Sequence, residues 1–282
     1  MPEHLPLVSL VIPTWNRKDE LIACIDSLLR QRDVTLEIIV VDDGSTDDTV
    51  AAVRARFPGV VVLAESKHYG ISFCRNLGIL ASHGEYIHQL DSDTEMPDEY
   101  VISRMVRMLR ENLGLGVLGG AILPATGGTA QAYGLNRGPR VYPVMSFVTR
   151  ADGLRACDWV VGCNMMARRE IVFQVGGFDL NFEFGSDDTS FSLRVQRAGY
   201  TNCISHDCSV YHKPSNSGRR PDESYCYGLT GGRFLIKYYG MPYFYRTYAK
   251  FPVRIAASFA WLPIRWLRHR MAGRQLEYDS YR

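Results

Sequence analysis

Two apolar runs that each lead into paired carboxylates constrain this chain more than any other feature. The first is Glu37-Ile38-Ile39-Val40-Val41, followed by Asp42-Asp43-Gly44-Ser45. The second is Tyr86-Ile87-His88-Gln89-Leu90, preceded by Gly84-Glu85 and followed by Asp91-Ser92-Asp93. Short apolar runs bounded by turn residues have the pattern of strands buried on both faces. In open parallel sheets ligands bind at the carboxyl ends of the strands. Acids at two such ends point to a divalent cation and a polar, phosphorylated ligand, because carboxylate oxygens suit hard cations such as Mg²⁺ or Mn²⁺. Position carries the signal, since about one Asp-x-Asp is expected by chance in a chain this long.

The surrounding pattern supplies the crossovers that a parallel sheet needs. Residues 8–12 form a β-branched strand stopped by Pro13, and 18–31 have helical spacing with Leu21, Ile25, Leu28 and Leu29 on one stripe. Strand 36–41 is followed by a helix over 47–57, with Asp47 and Asp48 in its first turn, where the helix dipole favours them, and Pro58-Gly59 ends it. Strand 60–64, a helix over 71–81 opened by Gly70, strand 86–90 and a helix over 97–112 with Pro97 at its start complete four alternations. That order predicts a right-handed, mostly parallel α/β sheet. Beyond Gly114 the pattern loosens. Residues 124–140 read as a mobile loop rich in Gly and small residues, 159–167 as a strand and 168–175 as a short helix. A helix over 187–198 places Phe191, Val195 and Ala198 on one face and ends at Gly199. One or two strands over 203–211, a polar loop over 213–221 and helical, aromatic sequence to about residue 270 follow.

At 282 residues, 46% of them hydrophobic, the chain suffices for one large domain or a domain with an appendage. Its N-terminus shows no signal-like apolar run, and its seven cysteines are scattered with no Cys-x-x-Cys. The expectation is reduced, core thiols in a cytoplasmic protein. Charge is uneven: the first 223 residues hold 22 Lys and Arg against 28 Asp and Glu, whereas residues 224–276 hold nine basic residues and no acid. That tail is crowded with Tyr and carries Trp261 and Trp266, but its longest uncharged apolar run, 255–264, is ten residues and contains Pro263. A bilayer span takes roughly 20 residues, so no transmembrane helix is expected. Basic residues mixed with Trp, Phe and Leu fit an interfacial helix on an anionic membrane, peripheral at the inner face of the cell membrane. A helical cap on the main domain or a dimer contact fits them equally well. Nucleic acid is not expected, because no nucleic-acid motif accompanies the charge.

Several site types are absent. No Gly-x-Gly-x-x-Gly follows the first strand, and there is no Gly-x-x-x-x-Gly-Lys, Gly-x-Ser-x-Gly or His-Glu-x-x-His. What is present, in order, is Val8-Ser9-Leu10-Val11-Ile12-Pro13-Thr14-Trp15-Asn16-Arg17, Val41-Asp42-Asp43-Gly44-Ser45, Arg75-Asn76-Leu77-Gly78 and Asp91-Ser92-Asp93. Gly162-Cys163-Asn164-Met165, Gly176-Gly177-Phe178-Asp179 and Ser186-Asp187-Asp188 continue the series. These seven blocks closely resemble family 2 glycosyltransferases of the GT-A fold, over a span from Val8 to about His212. The resemblance implies a GT-A domain over 1–220, with a nucleotide-sugar half to about 115 and an acceptor half over about 116–220, followed by a helical region over 221–282.

The resemblance also implies roles. Asp93 would be the first metal ligand, Asp91 would contact the ribose or the metal through water, and His212 would complete the site. Pro13, Thr14 and Asn16 would line the nucleoside pocket, Asp43 would accept from the base, and Arg75 would approach the base and phosphates. Asp43 forming an Asx-type turn with Gly44-Ser45 is compatible with that role. Asp188 would be the catalytic base, with Asp187 standing where relatives carry Glu. Beside a neighbouring acid its pKa is pushed up, and at a helix N-terminus it is pulled down. Trp159, Gly162, Asn164 and Asp187 would border the acceptor, although Trp159 also reads as a core residue. Arg219 and Arg220 would lie on a loop able to close over the diphosphate, or simply be solvated. The expected reaction is inverting sugar transfer, dependent on Mg²⁺ or Mn²⁺, from a nucleotide-diphosphate sugar to a glycan or lipid-linked acceptor hydroxyl. A non-catalytic sugar-nucleotide-binding relative and a metal-dependent nucleotidyltransferase remain alternatives, the latter without its usual glycine loop.

Overall fold

The computed structural model of the chain describes residues 5–124, 131–135, 144–147, 152–182, 185–213 and 237–238. The elements below belong to a compact unit of residues 1–183 and 187–219; a second unit comprises 184–186 and 220–282. The expected lid arginines, the interfacial tail and Cys226 lie outside the described residues, apart from Lys237 and Tyr238 within the tail.

β1 (Leu7–Thr14), α1 (Lys18–Leu28), β2 (Thr35–Asp42), α2 (Thr49–Arg56), β3 (Val61–Ala64), α3 (Ile71–Ala81) and β4 (Tyr86–Leu90) alternate as expected. They are followed by β5 (Thr94–Glu95), α4 (Val101–Glu111), β6 (Leu115–Pro124), β7 (Gln131–Leu135), β8 (Val144–Phe147) and β9 (Leu154–Cys157). β10 (Asn164–Arg168), α5 (Arg169–Gln174), α6 (Asp187–Arg197) and β11 (Thr201–His212) complete the described elements. The main sheet runs β3-β2-β1-β4-β10-β6-β11-β5. Its first four strands are parallel, β10 is inserted antiparallel between β4 and β6, and β6 runs parallel to β11. The result is an α/β fold with a largely parallel central sheet.

Strand periodicity divides the core into two layers. Val8, Leu10 and Ile12 of β1 belong to one buried cluster with Leu21, Ile25 and Leu28 of α1 and Met105 and Leu109 of α4. Val11 faces the other way and joins Ile79 of α3, Ile171 of α5 and Phe191 and Val195 of α6. The α3 layer lies very close to the sheet: a Cβ on Gly78 would come within 2.3 Å of the Val11 side chain. Among the described residues six cysteines are free and buried, in keeping with the expected core thiols. Among the described residues no helix is long and apolar enough to cross a membrane.

The structure corrects several boundaries. β1 continues through Pro13, because its pairing with β4 stops at Val11 and the missing N–H leaves the ladder to β2 intact. α2 starts after both acids; Asp47 instead accepts from the Thr49 N–H at 3.0 Å, so no acid occupies the first turn. α4 starts one turn later than Pro97, since Asp98 turns the chain by accepting from the Tyr100 N–H at 2.8 Å. α1 ends at Leu28, and the Gln31 side chain reaches away to Asp98 O and the Ile102 N–H. The strand expected over 159–167 begins only at Asn164, after a turn at 162–163. The loop expected over 124–140 contains strand β7, which pairs with β6 and β8.

Candidate active site

Strand ends and one helix start converge on the acids. β4 runs directly into Asp91-Ser92-Asp93. Because β10 is antiparallel to β4, with Asn164 opposite Leu90, the turn at Gly162-Cys163 arrives at the same end, where Cys163 O accepts from the Asp91 N–H. At the far side of the sheet His212 pairs with Thr94 of β5, and the Lys213 N–H donates to Asp93 O at 3.0 Å. That pairing carries the His212 side chain to Asp93.

Asp91, Asp93 and His212 each offer one ligand atom within 4.8 Å of the others. His212 Nε2 stands 3.1 Å from Asp93 Oδ1, an ion pair that helps to hold the Asp93 carboxyl down. Asp93 Oδ1 is buried against that imidazole. A cation among Asp93 Oδ1, Asp91 and His212 would take over that contact, and the pair of carboxylates suits a hard divalent ion. The other oxygen, Oδ2, accepts from Arg17 Nη1 at 2.7 Å. Burial pushes Asp93 up, but His212 and Arg17 outweigh it and hold the carboxyl below its usual range. Burial likewise opposes the charged form of His212, and Asp93 outweighs it, so the imidazole is raised. Asp91 is raised by burial despite Arg75 beside it, while part of its side chain still opens to solvent.

Arg75 joins this cluster to α6. Its guanidinium is 3% exposed; Nη2 lies 3.1 Å from Asp91 Oδ1, and Nη1 donates to Asp187 Oδ2 in a very short contact. The Phe178 ring lies beneath it at 5.1 Å. Arg75 is thus a buried side chain and not a solvated one on the helix surface. Room for the guanidinium comes from Gly162, where a Cβ would fall 2.4–2.7 Å from Arg75 atoms.

Asp187 and Asp188 occupy the first turn of α6. Asp188 Oδ2 accepts from the Gly162 N–H at 3.0 Å and Oδ1 from the Thr189 N–H at 2.7 Å. The side chain is half-buried, so it meets solvent on one side while protein encloses the rest. Burial first, then the neighbouring Asp187, push its carboxyl up to about 6, against the pull of Arg75 and the two N–H donors. The competition left open by the sequence is thus decided by burial and the acidic neighbour.

At the β1 and β2 ends the picture differs in detail from expectation. The Asx-type turn is made by Asp42, whose Oδ2 accepts from the Ser45 N–H at 2.9 Å. Asp43, expected at that turn or on the base, accepts from the N–H groups of Tyr69 (2.6 Å) and Gly70 (2.9 Å) and lies 2.9 Å from His68 Nδ1. Asn16 ties the two strand ends together, accepting from Thr46 N–H at 2.8 Å and donating its own N–H to Ser45 Oγ. Pro13 and Thr14 stand where β1 ends, with Thr14 Oγ1 buried and unpartnered.

Two expected acceptor residues have structural places. Trp159 is 7% exposed and buried in the core. Asn164 is 2% exposed; its amide bridges His88 Nε2 and Cys208 O, each at 2.8 Å, so it braces β4 and β11. Sequence reasoning missed Arg17 as a partner of Asp93. Its only signal was a basic residue directly after Asn16 at the start of α1.

The comparisons agree with this architecture. A family model described as "Glycosyl transferase family 2" matches residues 9–175. The glycosyltransferase AglE of Haloferax volcanii is 26% identical over 219 residues, covering 75% of this chain and 68% of AglE. The succinoglycan biosynthesis protein ExoO of Rhizobium meliloti is 40% identical over 106 residues, covering 37% of this chain and 30% of ExoO. The Escherichia coli chondroitin synthase is 38% identical over 94 residues, 32% of this chain but 14% of that much longer protein. Among solved structures, a mannosyltransferase from Pyrobaculum calidifontis in complex with GDP-Man and Mn²⁺ superposes with a TM-score of 0.62 at 20% identity. It covers 99% of this chain and 84% of its own. GalNAc-T7 with UDP, GalNAc and Mn²⁺ gives 0.70 at 15% identity over 90% of this chain and 52% of its own. At these identities the likeness establishes the GT-A fold. Since the family model spans more than half of the chain, this protein belongs to glycosyl transferase family 2.

Proposed function

We propose that this domain is an inverting glycosyltransferase that moves a sugar from a nucleotide-diphosphate donor to an acceptor hydroxyl, in the synthesis of a cell-surface polysaccharide, glycan or glycolipid. The observation that carries the reading is the convergence of Asp91, Asp93 and His212 with Asp188 at one end of the sheet, where buried Arg75 links Asp91 to Asp187, the neighbour of Asp188. Mg²⁺ or Mn²⁺, held by Asp93, Asp91 and His212, would neutralise charge on the departing diphosphate. Pro13, Thr14, Asn16 and Asp43 border the nucleoside at the ends of β1 and β2. Asp188 takes the acceptor's hydroxyl proton; a carboxyl near pH 6 is both ionised at neutral pH and basic enough for that transfer. Arg75 and the Gly162 N–H hold Asp187 and Asp188 in position. Single displacement inverts the anomeric centre. The names of the chondroitin synthase and ExoO relatives, and the GDP-Man and Mn²⁺ in the P. calidifontis complex, support the donor class and a polysaccharide setting.

In the same reading residues 1–220 form the catalytic domain, and the basic, aromatic stretch 224–276 holds it at an anionic leaflet, near a lipid-linked acceptor. The test is a panel of sugar nucleotides with Mn²⁺, scored by thermal shift and nucleotide release. The matching donor is expected to raise Tm by about 5–10 °C at about 100-fold above its Kd, reversed by chelation. Its product should carry the inverted anomeric configuration by NMR. A panel in which no sugar nucleotide stabilises the fold would overturn the proposal.

A further inference from the structure

We propose that Arg17 is a built-in counter-ion of Asp93 that makes metal loading depend on the diphosphate of the donor. The inference rests on the reading above of Asp91, Asp93 and His212 as the ion site, and adds how that site is controlled.

The two oxygens of Asp93 have different surroundings. Oδ1 faces His212 Nε2 at 3.1 Å, whereas Oδ2 is held by Arg17 Nη1 at 2.7 Å. The Arg17 side chain is 16% exposed and that of Asp93 is 3% exposed, so the pair is poorly screened by solvent. Arg17 is the residue immediately before α1, and its carbonyl accepts the first helical bond from Leu21 N–H at 3.0 Å. The helix start therefore anchors the guanidinium's backbone rather than leaving it on a free loop. Asp91 has its own arginine in Arg75, which it shares with Asp187. Each candidate acid ligand is thus already matched by a fixed positive charge.

A divalent ion arriving at Asp93 Oδ1 meets the Arg17 charge across one carboxylate. Like charges at that spacing in a partly buried site oppose each other strongly. The ion alone consequently gains little from these ligands. A diphosphate brings negative charge and oxygen ligands that offset both cations. By linkage, the diphosphate then tightens the metal by the same factor as the metal tightens the diphosphate. The arrangement keeps the site from filling with metal when no donor is present, while fixing Oδ1 as the coordinating oxygen.

The experiment measures protein-bound Mn²⁺ by equilibrium dialysis, alone and with excess inorganic pyrophosphate, UDP or GDP, with chelation in solution subtracted. The wild-type protein is expected to bind Mn²⁺ alone weakly, and about tenfold or more tightly with the matching diphosphate. Arg17→Gln should raise affinity for Mn²⁺ alone by about tenfold and shrink the gain from diphosphate by the same factor. Arg17→Lys, which keeps the charge without the guanidinium fork, should stay close to wild type, which a purely structural role for Arg17 would not give. Equal Mn²⁺ binding by the wild type with and without diphosphate overturns the inference, and needs no variant to fold. Unchanged or weaker binding of Mn²⁺ alone by Arg17→Gln overturns it too. No Mn²⁺ binding under any of these conditions would instead remove the ion-site reading on which it rests.

Discussion

Arg75 and Asp187 form a buried ion pair, 3% and 5% exposed at their side chains, that ties α3 to the first turn of α6. The same guanidinium reaches Asp91 at the end of β4. One side chain therefore spans the ground between the candidate ion ligands and the candidate base.

Replacing Arg75 by Met leaves two carboxylates without their cation in a poorly solvated place. Breaking one side of a buried pair costs about 3–5 kcal/mol. Arg75→Met is expected to lose that much stability in urea unfolding, and Arg75→Lys less, since it keeps the charge but cannot fork to both acids.

Asp188→Asn is expected to keep donor-induced stabilisation and lose turnover by about 10²–10⁴-fold, the usual contribution of a general base. In the wild type kcat/KM should rise with pH through about 6, as the carboxyl becomes the ionised base. The stability sign is opposite. A folded pKa raised above the unfolded value contributes stability that is present below the ordinary carboxylate range and lost as pH rises through about 6. Asp188→Asn should therefore be more thermostable than wild type at pH 8, with the gain vanishing below pH 4. A flat activity profile between pH 5 and 8 would count against Asp188 as the base.

Gly162→Ala places a methyl 2.4–2.7 Å from the Arg75 guanidinium. Arginine tips normally yield, but this one can retreat only by loosening Asp91 and Asp187. The variant is expected to lose about 1–3 kcal/mol of stability. Its kcat should fall at least about tenfold, because the N–H beside the methyl also holds Asp188 and each 1.36 kcal/mol of lost transition-state stabilisation is a factor of ten. Stability and turnover both at wild-type level would show that the guanidinium is not confined.

Asn164→Ala separates a structural from an acceptor role. Its amide is spent on His88 and Cys208 in the core, so removal leaves buried polar atoms unpaired at about 1–3 kcal/mol. The expected outcome is lower thermal stability with an unchanged KM for acceptor. A raised acceptor KM at full stability would return Asn164 to the acceptor site.

The alternation of strands and helices to residue 111 was legible in the chain, because strand and helix periods are local and each run is long enough to show one. β5, β7 and β9 were not, being two to five residues long and stabilised by pairing with β6, β8 and β11 rather than by their own pattern. Asp91 and Asp93 could be named as candidates from their block and His212 from the family resemblance, and the structure brings them together. Which acid makes the turn after β2 could not be read, since Asp42 and Asp43 are adjacent and differ only in the face of the strand end that each occupies.

The amino-acid order by itself determined the strands, their acidic ends and hence the side of the sheet on which chemistry can occur. The tertiary structure alone decided which charges meet. Arg17 with Asp93 and Arg75 with Asp187 are 76 and 112 residues apart in the chain. Such pairs leave no periodic trace in sequence, because they exist only once strand order and the close approach allowed by Gly162 have set the distances.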